Sequence, residues 1–493
     1  MGDPHYTGVL QKLCLIAALI LLYLTNLGGV GFLGPDEPRY ASIGREMALS
    51  GDWVTPRLDG QPWFEKPPLL YWTTGAANRL GLRDEWAARL PVALIGLLFL
   101  LFFYNTLERE FNRRVALAGT AILGTSAGWA ALSFAAVTDM PMAATLNAAM
   151  FVALFGPQAM GARSTLGRES RYGAQGYIAG FLLGLAVLAK GFVPVVLIAP
   201  VFLIARGKRL RMILTCAAIA APWYILCYLQ NGSAFWNEFF WKHHVSRFLS
   251  PELEHVQPFW YYVPVFLAGL FPWTPLVALI GRRRSLDDER VRFLGLYLIY
   301  GLIFFSASTN KLPAYILPLL PAMAVVLAVA LERTRRAGGW LVACALLLTL
   351  VPLIAAILPE ALNTGITHVQ WGGGFGWALL LPATVAITVW WLARDDADQE
   401  WSDRRRWAAL VIALGSVASV MYLKSSAFPA MDRIVSVRSF WREHGSETKG
   451  ACADQVKRAW VYGLNYYAER PIPDCIEGAS PRIGIKAGSL AIE

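Results

Sequence analysis

The chain has 493 residues, 56% hydrophobic and 16% charged, with a net charge of +10. A soluble domain carries about 25% charged residues, and apolar runs long enough to cross a bilayer as helix recur along this sequence, which excludes a soluble enzyme. The surplus of arginine points to loops that set membrane orientation and meet anionic headgroups, not to nucleic acid.

The first apolar run is too long for the core of a cleaved leader and lacks a small-x-small cleavage site, so it reads as an uncleaved first helix. The hydropathy pattern predicts about thirteen transmembrane helices, at 10–32, 88–107, 115–135, 140–158, 175–190, 192–206, 212–229, 259–280, 293–308, 314–331, 339–358, 373–393 and 407–424. Alternate connections, from "EREFNRR" to "RDDADQEWSDRRR", carry the arginines, whereas the short turns between them hold only Lys190 and Lys311. By the positive-inside rule the arginine-rich side is cytoplasmic. Loops 34–87 and 230–258 and the tail 425–493 then face the other way, where nucleotide sugars are absent. In "GFLLGLAVLAKG", Gly180 and Gly184 are spaced for close helix packing.

Loop 34–87 opens with "GPDEPRYASIGREMALSGDW", which predicts a helix stopping at Ser50-Gly51. "KPPLLYWTTGAANRL" predicts a second helix that Pro67 and Pro68 start. Its eight acids outnumber its six basic residues, more compensation than a passive anchor on anionic lipid needs. Loop 230–258 is rich in aromatics suited to an interfacial belt. Cys14, Cys216, Cys227 and Cys344 lie in apolar runs as packing residues. Cys452 and Cys475, in an extracytoplasmic tail, predict a disulfide.

The segments "DEPRYA" (Asp36–Ala41), "SGDW", "FEKPP" (Phe64–Pro68), "TDMPMA" around Asp139, "AKG", "FWYYVPV" and "STNKLPAYILPLLPA" follow one another over roughly 290 residues. In this order the sequence resembles the bacterial lipid A aminoarabinose transferases and their relatives, within the C-type glycosyltransferase superfamily that includes protein O-mannosyltransferases. The tail departs from that pattern by being short. The resemblance implies an all-α polytopic fold of the C-type glycosyltransferases over 1–424, followed by a small periplasmic α/β domain at 425–493. It implies a monomer in the bacterial inner membrane with its active site facing the periplasm. The implied reaction moves a sugar from undecaprenyl phosphate, with inversion, to an acceptor. In the closest relatives these are 4-amino-4-deoxy-L-arabinose and a lipid A phosphate, and the modification gives resistance to polymyxin and cationic peptides.

Such chemistry needs cations on the departing phosphate, a carboxylate at the acceptor and room for a lipid tail. Lys66 matches the family's phosphate-binding lysine, and Arg39, Arg247, Lys190 and Lys311 are supporting cations at the outer face. For Lys190 and Lys311 the plainer account is snorkelling to the interface. Asp36 matches the superfamily's first-loop acid and is the central carboxylate; its plainer account is pairing with Arg39. Asp139, at the junction of two apolar runs, is the second catalytic acid or a helix N-cap. Glu37, Tyr40 and Tyr71 are substrate-contacting candidates. Glu65 with His243 and His244 makes a divalent-metal candidate such as zinc, although adjacent histidines on a helix point about 100° apart. His255 with Glu254 is a weaker version. Two rivals stand beside this reading: transfer of another sugar to protein or another lipid, and a lipid transporter without catalysis. A secondary transporter fits poorly, because the helix centres are nearly free of charge.

Overall fold

The first apolar run folds as α1 (Pro4–Leu24) and stops well short of residue 32. The cause is the fate of its carbonyls. A helix end leaves carbonyls without intrahelical donors, and three buried cations collect them here. Lys424 Nζ donates to the carbonyls of Leu22 and Thr25 at 2.8 and 2.7 Å. Arg89 donates to Leu27, Val30 and Gly31, and Arg438 to Gly28. The chain therefore turns at Thr25 and stays folded against its neighbours. This computed structural model describes residues 4–155, 169–246, 256–281, 287–369, 376–394, 403–476, 480–486 and 488–492.

Loop 34–87 is structured as its sequence predicts. α2 (Asp36–Ser50) ends where Gly51 takes φ 75° and returns its N–H to Met47 O, a conformation that costs glycine little. The strands β1 (Arg57–Leu58) and β2 (Gln61–Pro62) pair antiparallel, and α3 (Leu69–Arg79) begins directly after Pro68.

Long apolar helices follow. α4 (Asp84–Glu110) crosses in one piece, whereas the predicted span 115–135 divides into α5 (Arg113–Thr125) and α6 (Ala127–Ser133), bent by 60°. The break sits at Ser126, which is extended. Trp273 Nε1 donates to Thr125 Oγ1 at 2.9 Å, and Ala127 N–H donates to Phe271 O at 2.9 Å. α7 (Asp139–Leu154) and α8 (Glu169–Lys190) pack together. Gly180 and Gly184 face the next long helix, α11 (Arg209–Phe235). The predicted span 192–206 is broken into α9 (Val193–Leu197) and α10 (Ala199–Ile204), each with a proline in its first turn.

Among the described residues, seven helices are long and apolar enough to cross a membrane, eight if α5 and α6 form one bent span. The other predicted spans are short or broken rather than continuous, as at 259–280, where Tyr262–Gly269 gives way to a 3₁₀ turn beyond Pro272. The tail after the last long helix, Asp403–Ser426, holds a three-stranded sheet of β3 (Cys452–Ala453), β4 (Arg482–Lys486) and β5 (Ser489–Ile492), parallel then antiparallel. It has an apolar cluster of its own around Val437, Trp460, Leu464 and Ile483. The predicted Cys452–Cys475 disulfide is formed.

Candidate active site

α2 brings the opening motif into register. Residues three and four apart share a helix face, so Asp36, Arg39 and Tyr40 lie together while Glu37 points about 100° away. Asp36 is half-exposed and ion-paired with Arg39. Arg39 is buried and reaches on to Glu65 Oε2 at 3.0 Å, and Glu65 Oε1 meets Lys66 Nζ at 3.3 Å. Two acids and two cations thus alternate in one chain, Asp36–Arg39–Glu65–Lys66. Aromatic rings wall it: the Arg39 guanidinium lies 5.6 Å from the ring centres of Tyr40 and Trp63 and 5.2 Å from that of Tyr462, within cation–π range. Tyr71 stands 5.8 Å from Tyr40, ring to ring. Burial first, then the nearby Glu65, holds both phenols well above their usual pKa, so they remain O–H donors. The Tyr71 hydroxyl and Arg39 Nε are buried with no hydrogen-bond partner among the described residues. Unsatisfied buried polar atoms are costly, and both are donors.

Glu37 has another task. It is 3% exposed, takes a bidentate pair from Arg89 at 2.9 and 2.7 Å, and accepts the N–H groups of Leu33 and Ala136 at 2.8 and 2.7 Å. Its oxygens are saturated by protein donors, and it fixes α2 against α4 and the junction before α7.

That junction carries Asp139, in the first turn of α7, ion-paired with Lys190 at the end of α8. Lys190 Nζ lies 4.6 Å from the Tyr315 ring centre, so it points inward and does not snorkel. Two links tie this pair to the first chain. Ala136 binds Glu37, as above, and Phe64 shares an apolar cluster with Val187 and Leu188. Lys311 is buried and donates to the carbonyls of Gln257 and Ser308, bracing the chain at Ser308–Leu312. Arg247 lies outside the described residues, as do Glu254 and His255 and the side chains of His243 and His244. Glu65 is held by two cations, and among the described residues no three His, Cys, Asp or Glu cluster as metal ligands. In loop 230–258 the aromatics divide: Phe235 and Phe239 are buried with Trp223 and Phe64, while Trp236 and Trp241 are exposed.

Sequence reasoning missed Arg89, Trp63, Tyr315 and Tyr462. Arg89 had a signal, since a lone arginine entering an apolar run is expected to be paired. Tyr462 had none.

The helical fold that carries these paired charges is similar to that of ArnT from Cupriavidus metallidurans bound to undecaprenyl phosphate. The two superpose with a TM-score of 0.76 over 95% of this chain and 86% of that one, at 23% identity. The architecture is that of the C-type glycosyltransferases. A family model described as dolichyl-phosphate-mannose-protein mannosyltransferase matches residues 9–250. The undecaprenyl phosphate-α-4-amino-4-deoxy-L-arabinose arabinosyl transferase of Edwardsiella ictaluri is 33% identical over 424 residues, covering 82% of this chain and 74% of the relative. The enzyme of the same name from Pectobacterium carotovorum is 34% identical over 67% of this chain, and the match spans 62% of that relative's length. The chain belongs to the family of undecaprenyl phosphate-α-4-amino-4-deoxy-L-arabinose arabinosyl transferases.

Proposed function

We propose that the protein is an inverting glycosyltransferase of the bacterial inner membrane. It moves 4-amino-4-deoxy-L-arabinose from undecaprenyl phosphate to a lipid A phosphate at the periplasmic face, and so confers resistance to polymyxin and cationic peptides. The observation that carries this reading is the chain of ion pairs Asp36–Arg39–Glu65–Lys66 with its orphaned donors, set in a fold of this family. The anomeric C–O bond to the donor phosphate breaks, and undecaprenyl phosphate leaves with the electron pair. An acceptor phosphate oxygen forms the new bond from the opposite face, which inverts the centre. Lys66, Arg39 and the Tyr71 hydroxyl stabilise charge growing on the departing phosphate. An anionic acceptor needs no proton removed, so Asp36 orients it, while Asp139 with Lys190 forms a second charged pair beside the reacting groups. The match to the mannosyltransferase model favours a second reading, transfer of a hexose to protein.

In a reconstituted assay with lipid A, Asp36→Asn and Lys66→Ala are expected to abolish transfer while the purified proteins keep wild-type thermal unfolding. Full turnover by both variants rules out the assignment, and mass spectrometry showing a hexose on protein selects the second reading. The divalent-ion candidate of Glu65, His243 and His244 is kept as a proposal outside the reaction steps. Elemental analysis should find one zinc per chain, lost in Glu65→Gln, and a metal-free active preparation removes it.

A further inference from the structure

Among the described residues, the acids Asp36 and Glu65 of the charge chain are answered by Arg39 and Lys66. A donor phosphate and an acceptor phosphate would together bring several negative charges to it. The proposed reaction therefore calls for a further cation where the acceptor enters. The tail supplies one. Tyr462 neighbours two guanidinium groups, with Arg39 5.2 Å from its ring centre and Arg458 5.5 Å. Arg458 Nη2 and Nε donate to the Tyr462 hydroxyl at 3.3 and 3.4 Å. Arg458 is otherwise exposed and makes no ion pair among the described residues, so the rest of its donor fork is turned to solvent. Its neighbour fixes its height. Lys457 Nζ donates to Asn363 Oδ1 at 2.8 Å and Asn363 O at 3.2 Å, at the end of the apolar stretch Gly338–Thr364. That is the level at which an apolar span gives way to the headgroup layer.

We propose that Arg458, aimed by Tyr462, is the acceptor subsite, binding the phosphomonoester of a glycolipid that approaches Asp36 from the headgroup layer. Its planar fork suits bidentate phosphate contact, which an ammonium would not reproduce. The inference rests on the transferase reading above and adds where the acceptor binds.

Steady-state transfer with purified full-length protein tests it, varying lipid A and the undecaprenyl-phosphate-linked sugar separately. Arg458→Gln is expected to raise the acceptor KM about tenfold, the loss of one charge-assisted contact, with donor KM and kcat held. Arg458→Lys should recover part of that loss. Tyr462→Phe, which keeps the ring but frees the arginine, should shift the same constant by about threefold, a smaller loss of positioning. If wild type transfers sugar and Arg458→Gln leaves the acceptor KM unchanged, or moves donor KM or kcat instead, the subsite is wrong while the transferase reading stands. If wild type transfers nothing to lipid A, the transferase reading itself fails.

Discussion

Two neighbouring acids, Asp36 and Glu37, look interchangeable in "GPDEPRY" and are put to opposite uses by one helical step. Asp36 stays half-exposed beside Arg39, and Glu37 is turned inward onto Arg89. Breaking a buried, bidentate ion pair leaves an uncompensated charge, at a cost of about 3–5 kcal/mol. Glu37→Gln should therefore lower the unfolding temperature in detergent markedly and reduce transfer, whereas Asp36→Asn spares the fold. The double change Glu37→Leu with Arg89→Met should not recover the stability, because it also strips the donors from the carbonyls of Leu27, Val30 and Gly31 and the acceptor from the N–H groups of Leu33 and Ala136. If Glu37→Gln is as stable as wild type, the Glu37–Arg89 pair is not what orders the loop. The sequence showed that charges gather at this rim and marked Lys66 as the candidate for the phosphate. It could not show that Arg39 bridges two acids, because Glu65 reaches it through the β1–β2 hairpin and a fold decides that meeting.

At the scale of the element, predictions succeeded where local chemistry sets the boundary. Gly51 ends α2 and Pro68 precedes α3 because φ and hydrogen-bonding limits act within a few residues. They failed where distant side chains set it: hydropathy continues past Leu24, but Lys424, Arg89 and Arg438 take the carbonyls. Not every span is one continuous helix, for a related reason: the bend at Ser126 is held by Trp273 and Phe271. The glycine spacing in α8 was legible and gives a sharp test. A Cβ on Gly184 would stand 2.7 Å from Ile219 Cβ, so Gly184→Val should overpack the α8–α11 crossing and cost about 1–3 kcal/mol. Gly295 lies on the helix Glu289–Ala307, and a methyl group added there would meet nothing within 4 Å. Gly295→Ala should stabilise by up to about 1 kcal/mol through helix propensity. Thermal unfolding that ranks the two variants the other way would remove close packing as the role of Gly184.

Across the whole molecule, the small tail is docked by buried charges onto the loop that carries the site. Arg438 meets Glu85 at 3.2 Å and Asp432 at 3.0 Å, Tyr467 O–H donates to Glu85 at 2.5 Å, and Asp432 accepts Gly31 N–H at 2.7 Å. Asn465 adds a bond to Asp59 at 3.1 Å. The disulfide acts elsewhere, closing a separation of 23 residues inside the tail, a constraint worth roughly 3 kcal/mol in the chain-entropy view. The two devices should therefore separate in experiment. Arg438→Met strands the Glu85 and Asp432 carboxylates in a buried setting and should undock the tail. Tyr462 would then leave Arg39, protease would cut between residues 425 and 458, and transfer would fall sharply. Cys452→Ser with Cys475→Ser should loosen the sheet and raise protease sensitivity beyond residue 450, yet leave the Arg438 latch closed and most transfer intact. If the cysteine pair abolishes transfer and Arg438→Met does not, the tail serves the site through its internal fold, and the docking contacts have no part in holding Tyr462 over Arg39.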